Sequence, residues 1–132
     1  MSISPDFLDL DDVLELHIEL ISRFGGAGGA RDMGLPESAL AMPRSGMGGQ
    51  YFHPDEFEMA AAYLFHLVKN HPFLDGNKRA GAAAALVFLE MNAIEVRAKN
   101  DDVVEVTLGV AEGRIQKSGV AEFFRKHSSR RK

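Results

Sequence analysis

One short run concentrates groups that handle phosphate and protons: His71-Pro72-Phe73-Leu74-Asp75-Gly76-Asn77-Lys78-Arg79-Ala80-Gly81. His71 is the only side-chain type in it whose ordinary pKa sits near physiological pH, as a proton acceptor requires. Asp75 offers a hard oxygen ligand for Mg²⁺, an ion usually held by one or two carboxylates together with phosphate oxygens. Gly76 allows a tight turn, and an alanine-rich helical pattern begins directly after it. A turn into a helix presents unpaired N–H groups and the positive end of the helix dipole, which suits phosphate. Lys78 and Arg79 add full charges there, and a guanidinium grips an oxyanion with two parallel hydrogen bonds. Taken singly, these residues are ordinary: a loop histidine before proline, an Asp-Gly-Asn turn, a solvated Lys-Arg pair. Their arrival together without a spacer points to a site for a nucleoside polyphosphate and an attacking hydroxyl.

The elements that must hold this run read as helices. Val13, Leu14, His17, Leu20, Ile21 and Phe24 follow the i, i+3, i+4, i+7 spacing of one helical stripe. Acidic residues at 9, 11 and 12 and the Gly25-Gly26 pair bound that helix. His17 lies on the stripe and reads as a packed core histidine rather than a ligand. The glycine-rich segment 25–34, with Arg31 and Asp32, reads as a connector, because it lacks the Gly-Lys-Ser/Thr of a phosphate loop. A short helix is expected over 36–42, with Pro36 in its first turn. Residues 43–53, with three glycines and no period, suggest a mobile segment or short hairpin.

Pro54-Asp55-Glu56 opens a helix whose apolar face carries Phe57, Ala60, Ala61, Leu64, Phe65 and Val68. It must end by His71, because the residue before Pro72 is driven out of the right-handed helical region. His66 and His71 are five apart, off the i, i+4 geometry of the helical zinc motif, and no zinc site is expected. The helix after the motif, about 77–91, is apolar nearly all round and is expected at the centre of the domain, with Asn92 as its stop. A rigid central helix fixes its own N-terminus, so the phosphate site would be preorganised, with Phe73 plugging the loop into the core. A brief extended link at 93–97, a helix from 100–102 to near Gly113 and a last helix over 118–126 complete the chain. The expected fold is all-α: a compact bundle of about six helices around 77–91, forming a single domain over 1–126, with a short β-hairpin flap near 43–53. The basic residues 127–132 are expected to be a frayed, solvated tail.

Composition bounds the classes of function. The 132 residues are 45% hydrophobic and 26% charged, as in ordinary globular proteins. The absence of cysteine excludes disulfides, thiolate catalysis and cysteine-ligated zinc. Net charge of −4 argues against a general polyanion binder, so direct nucleic-acid binding is not expected. No apolar stretch approaches the ~20 residues needed to cross a membrane. The opening residues lack a basic segment followed by an apolar run, which makes a cytoplasmic location the expectation.

The motif run resembles the signature of the Fic/Doc family, His-x-Phe-x-(Asp/Glu)-(Gly/Ala)-Asn-(Gly/Lys)-Arg, through His71, Phe73, Asp75, Gly76, Asn77, Lys78 and Arg79. The likeness extends to residues 21–26, 34–40 and 86–92, and so spans most of the chain. Fic-type adenylyl transferases usually carry Gly where this chain has Lys78, and a further Arg where it has Ala83. The combination here is similar to the death-on-curing (Doc) toxins of toxin–antitoxin modules.

That resemblance implies a kinase using ATP and Mg²⁺, because Doc proteins are understood to bind the nucleotide reversed, with its terminal phosphate presented. His71 would be the catalytic base and Asp75 the metal ligand. Gly76, Asn77, Lys78 and Arg79 would hold the nucleotide's phosphates. A Gly at 78 would let the backbone approach the inner phosphate, whereas a lysine side chain fills that space. The implied substrate is a translation factor, elongation factor Tu, and the 43–53 flap would dock the target by strand addition. An inhibitory Ser/Thr-x-x-x-Glu-Gly/Asn helix is met only by Ser118-Gly119-Val120-Ala121-Glu122-Phe123, which lacks the final Gly/Asn. Inhibition would therefore come in trans from an antitoxin. A Fic-type AMP transferase and a non-catalytic regulatory module are the alternative functions.

Overall fold

The computed structural model describes residues 5–29, 32 and 34–131, so Arg31 of the glycine-rich segment and Lys132 of the tail lie outside it. Helix α1 (Leu10–Phe24) opens on a capping box in which Asp9 and Asp12 each accept the other's backbone N–H, and it stops at Gly25, φ +84°. Helix α2 (Gly34–Ala41) begins two residues before Pro36. Proline is tolerated there because first-turn N–H groups lack helical partners anyway. Strands β1 (Gly46–Met47) and β2 (Gln50–Tyr51) form the expected hairpin, turning through Gly48 and Gly49, both at positive φ.

Helix α3 (Glu56–Asn70) is capped by the Asp55 carboxylate, which accepts the Glu58 N–H at 2.9 Å. Helix α4 (Asn77–Met91) packs directly on it. Ten of α3's residues and seven of α4's are buried, so α4 shares the centre with α3. Small residues on the shared face let the two axes approach. A Cβ on Gly81 would lie 3.0 Å from Val68 Cγ2 and 3.1 Å from the Leu64 carbonyl oxygen. Helix α5 (Asn100–Ala111) touches both central helices, α1 lies against α4, and α2 and α6 (Lys117–Lys126) cover α3.

The tail departs from expectation. Ser128–Arg130 form a strand, β4, antiparallel to β3 (Ile94–Val96). Arg130 then grips the buried Glu56 with two guanidinium nitrogens, at 2.6 and 3.3 Å. That contact holds the Glu56 carboxyl below its usual pKa. Three residues with no β-branched side chain do not announce a strand; pairing with β3 makes one. Among the described residues no helix is long and apolar enough to cross a membrane.

Candidate functional site

The signature loop is built by backbone constraint. His71 closes α3 in the left-handed region, at φ 48° and ψ 55°. Histidine is one of the few side chains that visits that region with any frequency, and Pro72 disfavours the right-handed alternative. The next side chain inward, Phe73, is 1% exposed and anchors the loop in the core. Asn77 closes the turn from the other side. Its amide oxygen accepts the Phe73 N–H at 2.9 Å, and its amide nitrogen donates to the Phe73 carbonyl at 3.1 Å. That amide nitrogen also lies 3.5 Å from His71 Nδ1, so one side chain spans both ends of the run.

Gly76 caps α4 in the left-handed region, φ 75°, with no side-chain partner. The first helical bond is the Ala80 N–H to the Gly76 carbonyl, which leaves the N–H groups of residues 77–79 without a partner inside α4. Lys78 and Arg79 are exposed, and among the described residues neither forms an ion pair with a carboxylate. Arg79 instead lies over the Phe24 ring at the end of α1, 4.6 Å from guanidinium carbon to ring centre.

All six residues singled out as catalytic, metal-binding or phosphate-binding line one cavity of about 560 Å³: His71, Asp75, Gly76, Asn77, Lys78 and Arg79. Such a volume is typical of small-molecule sites. Ala82 and Leu74 continue the wall, and α5 supplies the opposite side through Val103, Val104, Thr107 and Leu108. One face is cationic and rich in N–H donors, the other apolar. That division suits a ligand with a charged end and a flat apolar body.

Sequence reasoning missed this α5 wall, and Val104 shows why: it is 54% exposed, yet it reads as part of an ordinary helical stripe. It missed, too, the part played by the glycine-rich segment. The Gly29 carbonyl accepts the Leu74 N–H at 3.0 Å, and a Cβ on Gly26 would come within 2.6 Å of Asp75 Oδ2. The connector is therefore a close-fitting back wall of the loop. Its glycines were the signal.

Asp75 fits the metal role in its chemistry: an exposed carboxylate beside a cationic, phosphate-sized space. Among the described residues no group of three or more His, Asp or Glu side chains is disposed to hold an ion. A single carboxylate accords with Mg²⁺ ligated chiefly by nucleotide oxygens and water. His66 Nε2 accepts a hydrogen bond from Lys117 Nζ at 3.0 Å. The run Ser118 to Phe123 lies in α6 and contributes nothing to the cavity lining.

The family model described as the Fic/DOC family matches residues 7–89. The protein named protein kinase doc of Escherichia phage P1 is 33% identical over 116 residues, covering 88% of this chain and 90% of that protein. The protein named toxin Doc of Mycolicibacterium smegmatis is 38% identical over 96 residues, 73% of this chain and 72% of the relative. With the signature loop, the helices that carry it and both relatives in agreement, this chain belongs to the Fic/DOC family.

Proposed function

We propose that this chain is a Doc-type toxin that acts as a protein kinase, moving the γ-phosphate of ATP to a serine or threonine hydroxyl of a translation factor. The observation that carries this reading is the convergence of the loop's base, acid and two carboxylate-free cations on one cavity at the mouth of α4. The names of the two relatives, a protein kinase and a toxin, support it.

In the reaction, His71 accepts the proton of the incoming hydroxyl on its unprotonated ring nitrogen. The hydroxyl oxygen bonds to the γ-phosphorus as the bridge to the β-phosphate breaks, and ADP leaves. Lys78, Arg79 and the open N–H groups of 77–79 neutralise charge spread over the phosphate oxygens, and Gly76 leaves room for their approach. Positioning and electrostatics supply most of the rate enhancement in such transfers. Asp75 would hold Mg²⁺, which when bound shields charge between neighbouring phosphates. Asn77 acts on the loop through its side chain and on phosphate only through its N–H. The α5 wall receives the nucleoside.

Elongation factor Tu is the target implied by the resemblance, translation arrest the outcome, and the cytoplasm the place. Control comes from an antitoxin in trans, since the α6 run that comes nearest to an inhibitory motif lies away from the cavity. The test is paired incubation with γ-labelled and α-labelled ATP and elongation factor Tu. Label transferred from the γ position alone is expected. Transfer of the α label with an added AMP mass would make the chain a nucleotidyl transferase, and biological activity intact in His71→Ala would make it a non-catalytic module.

A further inference from the structure

His17 sits under the loop, 2% exposed, on a helical stripe that Leu or Phe would fill without needing a partner. Its ring stacks on Phe73, centres 3.8 Å apart and planes within 8°. Its Nε2 lies 2.7 Å from the Asp75 carbonyl oxygen. A carbonyl only accepts, so Nε2 carries the proton and donates.

The carbonyl it grips belongs to the peptide plane between Asp75 and Gly76. The other end of that plane, the Gly76 N–H, donates to Asp75's own carboxylate oxygen Oδ1 at 2.8 Å. The plane is thus held on one side by α1 and, on the other, holds the carboxylate. Gly76 rests on the same ring: a Cβ there would be 3.5 Å from His17 Nε2.

We propose that His17 is a positioning residue of the transfer reaction: by fixing the 75–76 peptide plane it aims the Asp75 carboxylate into the cavity. The inference rests on the kinase reading for its kinetic consequence. Its geometric claim stands on the loop alone. Stack and hydrogen bond have separate consequences. The ring against Phe73 contributes packing, whereas the Nε2 proton sets the orientation of the plane. Losing the proton frees the plane to rotate and carries the carboxylate with it.

Two variants of the full chain separate these. His17→Phe keeps an aromatic ring on Phe73 and removes the donor; His17→Gln places an amide N–H near the Nε2 position and loses the ring. For His17→Phe, kcat should fall by roughly tenfold to a hundredfold, with the KM for ATP little changed, since small displacements of reacting groups act at that scale. The Mg²⁺ concentration for half-maximal rate should rise, and amide exchange at Gly76, followed by NMR, should quicken. His17→Gln should restore both kcat and slow Gly76 exchange while melting at a lower temperature. The proposal is overturned if His17→Phe keeps wild-type Gly76 exchange, or if both variants lose activity in step with their melting temperatures. Absence of any phosphate transfer by the wild-type chain would count against the kinase reading alone, and Gly76 exchange in the two variants would still decide the role of His17.

Discussion

The side chain of Asn77 and the backbone of Phe73 form a closed pair, the amide accepting from the Phe73 N–H at 2.9 Å and donating to its carbonyl at 3.1 Å. Both partners are buried, so water cannot replace either bond. The first residue of α4 thereby ties down the loop that precedes it.

Asn77→Leu should leave the two Phe73 groups unsatisfied, at a cost of about 1–3 kcal/mol for each buried group that finds no substitute. Thermal unfolding should show a lower midpoint, and phosphate transfer should fall further than stability alone accounts for. Wild-type transfer in a folded Asn77→Leu protein would show that the loop holds its shape by other means.

His71 carries strain along with its proposed chemistry. A non-glycine residue in the left-handed region costs roughly 1–2 kcal/mol, part of which glycine relieves and part of which glycine's greater unfolded-state entropy returns. His71→Gly relieves that strain but also loses the ring's contacts, the approach to Asn77 among them, so it should unfold at a temperature close to that of wild type. Its transfer rate should drop by about 10²–10⁴, the usual contribution of a positioned base. Denaturant unfolding measured beside the γ-label assay checks both.

Gly26 and Gly25 form a matched pair for testing the Asp75 carboxylate. Both have positive φ, so alanine is strained at either. Only at Gly26 does the added methyl meet Asp75 Oδ2; at Gly25 nothing lies within 4 Å. The obstructed atoms belong to the side chains of Asp75 and Ile21 rather than to backbone, so stability at Gly26 should fall further than at Gly25 only by the cost of turning the carboxylate from its Gly76 bond. Gly26→Ala should need clearly more Mg²⁺ than Gly25→Ala for half-maximal rate. Equal Mg²⁺ dependence would separate the carboxylate from metal binding.

Acid stability should report on His66. Burial, reinforced by the Lys117 charge, pushes its pKa down from 6.5 to about 4. The unfolded chain therefore takes up this proton first as pH falls. The stability conferred by neutral His66 is complete above 6.5 and is lost progressively down to about pH 4. Because the ring is partly solvated, the loss is on the order of 1–2 kcal/mol after screening. His53, also pushed down by burial and Lys117, adds in the same direction. His66→Gln should flatten the curve of urea-midpoint against pH across this window, and an unchanged slope would place the acid sensitivity elsewhere.

These contrasts show how far sequence alone reaches. The stripe from Val13 to Phe24 and the alanine-rich run after Gly76 locate α1 and α4 because helical period and capping residues are local signals. That the loop's residues would share one cavity was legible for the same reason, these residues being adjacent in the chain. Partners distant in sequence were not. His17 and Asp75 are 58 positions apart, and nothing on an amphipathic stripe reveals which carbonyl its histidine will meet. Val103 and Val104 look alike as neighbours on α5 and both wall the cavity, but the first is buried and the second more than half exposed, a difference set by how α5 leans on α4. Likewise, β4 exists only through β3 and the Glu56 anchor.

The carboxylate-free pair Lys78 and Arg79 has a consequence for encounter. The chain as a whole is an anion of net charge −4, while this one patch is cationic. A polyphosphate approaching from far off is repelled before it is attracted. Added salt shortens the reach of both fields to about 10 Å at 0.1 M, which removes the distant barrier and spares contacts made inside that length. Association should therefore speed up with moderate ionic strength, opposite to the trend of proteins that steer anions from afar.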